Sequence, residues 1–305
     1  MNILVIGTGA VGGFYGGLLA RAGCDVSVAA RADYTHIRDQ GIAIRSETEF
    51  GEWTFHPKHT LGIEETLGYA PDLILLCVKL TDEVDRVSIL KQHVGTHTTI
   101  VLLSNGVDIE EEIAQAFPDH RIISGLAFVC VTRTAPGQIW HQAFGRLALG
   151  DYPSGVSTVT TYLVEAFSTV GLECEATSHI AQARWQKCVW NAAFNPLSVL
   201  SGGLDTLALL AQGESLIRAI MQEVIHVSAA LGYTLPSDLV DEQIEKTRAA
   251  SAYKTSMLLD FEAGRPLETE AILGNTVRAA KRCGASVPHL ETLYTLMQLR
   301  TSTRY

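Results

Sequence analysis

Apolar and polar residues follow two different rhythms along this chain. In the first half, short apolar runs at residues 3–6, 26–30, 73–78 and 99–103 alternate with amphipathic stretches at 11–22, 82–93 and 109–117. The runs are too short for helices and apolar on both faces, as buried parallel strands are. The longer stretches repeat their apolar positions every three to four residues. This β-α-β-α order predicts a parallel, doubly wound sheet. Residues 42–45 and 53–56 have mixed polarity and read as a hairpin-like excursion. From about 122 to 150 the pattern changes to strand-like runs at 125–131, 138–141 and 146–149. Ala135-Pro136-Gly137 and Ala143-Phe144-Gly145 join them, a meander suited to antiparallel strands at a sheet edge. A helix at 157–169 and a strand at 173–176 close this half.

After about residue 178 the strand signals stop. Helical patterns cover 179–195, 213–231, 239–248, 256–263, 268–283 and 288–298. The fold class is therefore α/β, with an N-terminal α/β domain over residues 1–177 and a C-terminal all-α domain over 178–305. A chain of 305 residues is long enough for two domains with real cores. A ligand site is expected in the cleft between them.

Composition narrows the function classes. The net charge is −10 with no Lys/Arg run, which argues against a nucleic-acid or anionic-membrane partner. Cys24, Cys77, Cys130, Cys174, Cys188 and Cys283 are scattered, without CxxC or Cys/His ligand spacing. They read as buried thiols in a reducing, cytoplasmic setting, and no metal is implied. The first residues lack a signal-peptide pattern, and no apolar run is long enough to span a bilayer. None of the ten histidines has a positional reason to be catalytic. A helical domain of this kind can support a homodimer.

Gly7-Thr8-Gly9-Ala10-Val11-Gly12 follows the first strand and opens the first helix. GxGxxG in that context is the dinucleotide-binding turn of a Rossmann-type domain. The first glycine allows the turn, the second lets the backbone approach a pyrophosphate, and the third packs helix on strand. The anion then lies at the helix N-terminus. NAD enzymes usually place an acid at the end of the second strand, but this chain has Ala29-Ala30-Arg31. Arg31 suits the 2′-phosphate of NADP(H) through its planar fork, the alternative being a solvated loop arginine beside Asp33. Lys79 and Asn105 stand at the carboxyl ends of two further strands, where ligands of open α/β sheets bind; plain surface or turn roles remain open for both.

The helix at 179–195 carries a polar stripe through apolar surroundings. Lys187, Asn191 and Asn195 are spaced i, i+4, i+8, so each step drifts only about 40° and all three share one face. Burying an ammonium and two amides without partners costs several kcal/mol. A polar ligand satisfies them, and so does a core hydrogen-bond network or a lysine that snorkels to water.

These features together resemble the ketopantoate reductase (2-dehydropantoate 2-reductase) family over essentially the whole chain. The resemblance rests on GxGxxG, Cys77-Val78-Lys79 and Ser104-Asn105-Gly106. It rests most specifically on Lys187-x-x-x-Asn191-x-x-x-Asn195-Pro196-Leu197-Ser198. Ser256-Met257-Leu258 and Glu268-Thr269-Glu270 follow in family order. The resemblance implies NADPH-dependent reduction of a small-molecule 2-oxo acid to a 2-hydroxy acid in pantothenate synthesis. It implies that Lys187 is the catalytic lysine and Glu270 the carboxylate near the substrate hydroxyl. Asn191 and Asn195 match asparagines that contact substrate or cofactor, and Ser256 the serine that holds the substrate carboxylate. Asn105 and Lys79 match cleft residues, and Arg31 the 2′-phosphate ligand.

A protonated Lys187 suits that chemistry because hydride delivery to a ketone develops negative charge on oxygen. Burial pushes a lysine toward neutrality, so it needs a nearby anion, which Glu270 supplies if the last helices fold back on the Lys187 helix. Read without the resemblance, Glu270 is an ordinary first-turn carboxylate and Ser256 a helix N-cap. The chain departs from the family pattern at Tyr253, where some members carry a substrate-contacting Asn. Residues 202–207 also lack an Asn often found after the Asn-Pro segment. Two other functions stay open: a related NAD(P)-dependent reductase of another 2-oxo or hydroxy acid, and a non-catalytic dinucleotide-binding sensor.

Overall fold

The computed structural model describes residues 1–62, 64–81 and 83–302. The chain forms two compact units. The first comprises Met1–Val78, Val84–Ser104 and Glu110–Ile180; the second comprises Lys79–Glu83, Asn105–Ile109 and Ala181–Tyr305. Two short segments that follow strands of the first unit thus cluster with the helical one.

The first unit is built on one sheet. Its strands are β1 (Asn2–Ile6), β2 (Asp25–Ala29), β3 (Ile42–Ser46), β4 (Glu52–Phe55), β5 (Thr60–Leu61), β6 (Leu73–Leu76), β7 (Thr99–Leu103), β8 (Ile122–Ala135), β9 (Gln138–Asp151) and β10 (Cys174–Ala176). The order is β4-β3-β9-β8-β7-β6-β1-β2-β5, with β10 paired to β9. The helices are α1 (Ala10–Arg21), α2 (Tyr34–Gln40), α3 (Arg86–Lys91), α4 (Glu111–Ala116) and α5 (Thr158–Thr169). All residues of β6 and β7 are buried, as expected of strands covered on both faces. β1 has a parallel partner on each side, with Ile6 opposite both Ala29 and Leu76, and Leu76 opposite Leu102. The carboxyl ends of β2, β1, β6 and β7 therefore share one edge. The strand order reverses at β1, which makes that edge the expected ligand side.

The α/β class and the parallel order agree with the sequence pattern. The meander does not survive as three strands. β8 and β9 are fourteen residues each and pair antiparallel over most of their length, with register shifts at Phe128/Val129, Cys130/Val131 and Arg133/Ala135. Ala143-Phe144-Gly145 is an irregularity inside β9, not a turn. Phe144 and Gly145 have φ of 65° and 128°, and such a bulge interrupts a strand's polarity pattern without ending the strand. The helix expected from residue 82 begins at Arg86, capped by Asp85, whose side chain accepts from the Ser88 amide; Asp82 itself lies outside the described residues. Residues 34–40, which no pattern flagged, form α2.

The second unit is helical: α6 (Ile180–Leu200, its first residue counted with the first unit), α7 (Thr206–Ala230), α8 (Leu239–Ala249), α9 (Ser256–Glu262), a π-helical turn (Glu270–Gly274), α10 (Asn275–Cys283) and α11 (Pro288–Ser302). Trp185, Phe194, Ile217, Ile220 and Leu290 are fully buried in its core. α6 runs past its expected end at 195 and through Pro196. A proline here forfeits the amide that would reach Ala192, but the flanking turns are held by burial of Phe194 and Val199. α7 starts seven residues before the expected 213, because Asp205 caps it by accepting from the Ala208 amide at 2.8 Å. Gly213, with φ −128° and ψ 18°, kinks this helix without ending it. The single helix expected over 268–283 is interrupted by the widened π turn at its start. Among the described residues no helix is long and apolar enough to cross a membrane.

Candidate active site

In the first unit the glycine turn shows what each glycine is for. Gly7 has φ +96°, and a β-carbon on it would fall 2.9 Å from the Val78 amide nitrogen. On Gly12 a β-carbon would fall 2.1 Å from the Gly7 carbonyl oxygen, so α1 and the turn touch backbone to backbone. Gly9 is different. Its φ is negative, and a β-carbon there would meet nothing within 4 Å. Among the described residues no packing requires glycine at that position; the open space is what an approaching phosphate would occupy. Gly9 is also the N-cap of α1, with no side-chain cap and no acid in the first turn, so the helix N-terminus stays available to an anion. Thr8 is buried, while Ala10 and Val11 are half-buried. The turn fits a dinucleotide pyrophosphate.

Arg31 follows β2 and is exposed, and among the described residues its guanidinium has no hydrogen-bond or ion-pair partner. The neighbouring acid does not neutralise it. Asp33 is 3% exposed and turned toward Arg133, whose Nη1 lies 2.7 Å from both carboxylate oxygens.

In the second unit a polar cluster forms around α6. Lys187 Nζ donates to Asn105 Oδ1 at 2.9 Å, and Asn105 Nδ2 donates to Glu268 Oε2 at 3.0 Å. An ammonium only donates and a carboxylate only accepts, so this pairing fixes which way the amide faces. Burial pushes the Lys187 ammonium down to about 7. The adjacent Arg184 guanidinium adds to that fall, and Glu268 opposes it. Arg184 is itself 2% exposed and donates to the Gly106 carbonyl at 3.1 Å.

The segment bearing Asn105 is docked closely on the π turn. The Val107 amide donates to the Ala271 carbonyl at 3.2 Å. Gly106 has φ +103°, and a β-carbon on it would fall 2.4 Å from that same carbonyl oxygen. Backbone contact this close sets Asn105 against Glu268, which lies just before the turn.

The remainder of the stripe is buried and short of partners. Asn191 is 9% and Asn195 2% exposed, and among the described residues neither amide side chain has a hydrogen-bond partner. Such amides call for a bound polar group. Ser198, three residues beyond Asn195, lies 2.7 Å from Thr255 Oγ1. Thr255, not Ser256, caps α9 by accepting from the Leu258 amide at 3.1 Å. Ser256 is thus the exposed first residue of that helix, adjacent to a residue anchored on the stripe. Lys79 pairs with Asp260 of α9, which also accepts from Arg265 Nε at 2.9 Å. Tyr253 stacks on Trp190, with ring centroids 6.1 Å apart, and Trp190 stacks on Phe194 at 4.6 Å.

One expected residue is displaced. Glu270 does not face Lys187; it accepts from Arg278 Nη1 at 2.8 Å and from the Tyr294 hydroxyl at 2.6 Å. The carboxylate beside the lysine is Glu268. Residues two apart on a helical segment point to different sides, so Glu-Thr-Glu holds one acid on each side and sequence spacing alone does not choose between them. Arg184 was also missed, although it precedes Lys187 by three residues on the same face. Among the described residues no His/Cys/Asp/Glu group is arranged to hold a metal.

Comparison with known proteins places the chain in a family. The family model described as ketopantoate reductase PanE/ApbA matches residues 3–154, and the model of that family's C-terminal domain matches residues 179–301. The chain is 31% identical to a 2-dehydropantoate 2-reductase of Nostoc sp. over 95% of its own length and 92% of the relative's. The crystal structure of 2-dehydropantoate 2-reductase from Methylococcus capsulatus is similar at 57% identity and TM-score 0.93, covering 98% of this chain and 96% of that one. A D-mandelate dehydrogenase solved with NADH and anilino(oxo)acetate shares the fold at TM-score 0.90 and 20% identity, over 99% of each chain.

Proposed function

The chain belongs to the ketopantoate reductase family of oxidoreductases, and on that premise we propose that it reduces 2-dehydropantoate to pantoate with NADPH, a step in pantothenate synthesis. The observation that carries this reading is the Lys187–Asn105–Glu268 chain of hydrogen bonds, with the lysine pushed down to about 7. When bound, the nicotinamide supplies a hydride to the carbonyl carbon of the substrate. Lys187 in its ammonium form offsets the charge developing on the carbonyl oxygen and gives that oxygen the proton that completes the hydroxyl. A group titrating near 7 is partly protonated at neutral pH and gives up its proton readily. Glu268, acting through Asn105, keeps the ammonium form populated against the burial that opposes it.

The other residues bind and orient. Gly7, Gly9 and Gly12, with Thr8, Ala10 and Val11 between them, hold the pyrophosphate, and Arg31 holds the 2′-phosphate. Lys79 and Asn105 complete the cofactor's contacts. Asn191 and Asn195 use their free amides on polar groups of substrate and nicotinamide ribose, and Ser256 takes the substrate carboxylate.

One observation favours a second reading. Tyr253 and Trp190, stacked and half-buried, add aromatic surface next to the polar stripe, and this suits a 2-oxo acid with a bulkier apolar side chain. Steady-state NADPH oxidation with 2-dehydropantoate, beside straight-chain, branched and phenyl-substituted 2-oxo acids, decides between them. The first reading expects a kcat/KM for 2-dehydropantoate on the order of 100-fold above the others. A maximum at the phenyl-substituted acid would move the assignment to the second. No turnover with any acid, despite cofactor binding, would leave a dinucleotide-binding sensor.

A further inference from the structure

The loop between β2 and α2 carries one cation and one anion, and it offers only the cation. Arg31 is exposed; Asp33, two residues on, is buried to 3%. The cover over Asp33 comes from far along the chain. Arg133, near the end of β8, places Nη1 2.7 Å from both carboxylate oxygens, and the Gly137 amide points at the same carboxylate from 3.4 Å. Arg133 reaches this loop because the β8–β9 hairpin outgrows the rest of the sheet and lies over the first turn of α1. A β-carbon on Gly13 would fall 2.1 Å from Ile139 Cδ1, and the Ala43 amide donates to the Gly137 carbonyl at 2.8 Å. The hairpin tip is thus fastened to α1 and β3, and it meets the loop at Asp33.

An uncovered carboxylate two residues from a 2′-phosphate ligand would repel that phosphate. We propose that Arg133 is a positioning residue for cofactor choice: by neutralising Asp33 it lets Arg31 act alone toward the phosphate. Arg133 works through Asp33 and contacts no part of the cofactor. The long hairpin, on this view, is part of the cofactor-selection apparatus and not only a sheet edge. The inference rests on the NADP reading above.

The test measures binding of two fragments, 2′,5′-ADP and 5′-AMP, to the full chain by calorimetry, for the wild type, Arg31→Ala, Arg133→Ala and the double variant Arg133→Ala/Asp33→Asn. Melting temperatures accompany each to show that the variants are folded. The wild type is expected to prefer 2′,5′-ADP, and Arg31→Ala to lose most of that preference. Arg133→Ala should cut the preference about three- to tenfold, a screened single-charge effect, while leaving 5′-AMP affinity in place. The double variant should recover it, since the acid has gone with its cover. A preference within about twofold of wild type in Arg133→Ala, or a loss shared by both fragments and not recovered in the double variant, overturns the role of Arg133 alone. Absence of any preference in the wild type overturns the NADP reading, and this inference with it.

Discussion

The turn after β1 and the polar stripe of α6 are built on opposite plans. Around the turn, the parts that matter are backbone, and they lie close in sequence: Gly7 and Gly12 touch each other, and Gly9 between them leaves open space. On α6 the parts that matter are side chains, and their partners come from 82 residues away for Lys187–Asn105 and 163 for Asn105–Glu268. The first region should tolerate most changes except an added β-carbon. The second should tolerate backbone-neutral changes around it but no change in the chemistry of its functional groups.

The strongest break in that comparison is Lys187→Ala. We expect kcat/KM to fall by about a thousandfold or more while NADPH affinity stays near wild type, because the lost group acts on developing charge and not on cofactor binding. Stopped-flow turnover alongside fluorescence titration of NADPH checks both halves; unchanged turnover would sink the mechanism. The wild-type pH profile belongs to the same experiment. Lys187 must be protonated to act and its folded pKa is depressed to about 7, so kcat/KM for reduction should be flat below that value and fall as pH rises through it.

A smaller effect separates the two acids. Glu268→Gln should lower kcat/KM about 10- to 100-fold and shift the pH profile toward lower pH, since the anion that supports the ammonium is gone. Glu270→Gln should leave kinetics within about twofold and cost about 0.5–1 kcal/mol, because its partner Arg278 is half exposed. Equal kinetic losses in the two variants would return the role to an unresolved pair.

The smallest effect on turnover, and the sharpest contrast within one motif, is expected at the glycines. Gly12→Ala drives a β-carbon into the Gly7 carbonyl and should cost about 1–3 kcal/mol of stability. Gly9→Ala meets no atom of the described residues within 4 Å and should melt within about 0.5 kcal/mol of wild type, yet bind NADPH about tenfold more weakly. Thermal melts and cofactor titrations on the pair report this directly; a destabilised Gly9→Ala with normal affinity would remove the ligand explanation for that glycine.

What could be read in advance follows the same division. Local features were legible: the GxGxxG turn between strand and helix, the apolar runs that became β1, β6 and β7, and the one-sided spacing of Lys187, Asn191 and Asn195. Features set by distant contacts were not. Nothing within Glu268-Thr269-Glu270 says which acid meets Lys187, because that depends on the segment holding Asn105. The extra residues in β9 looked like a turn because a bulge at Phe144 and Gly145 imitates one in polarity. Thr255 outcompeted Ser256 as the cap of α9 because Ser198 already held it. The Asp33–Arg133 pair, a hundred residues apart, had no local signature at all.

The π turn at Glu270–Gly274 closes its hydrogen bonds five residues apart instead of four, as in the Asn275 amide to Glu270 carbonyl bond. Such a turn amounts to one surplus residue in a helix. Deleting a single residue there would restore an ordinary helix and remove the widened turn whose Ala271 carbonyl receives the Val107 amide, and with it the docking that sets Asn105 against Glu268. The length of this stretch is therefore as much a part of the site's specification as its amino acids.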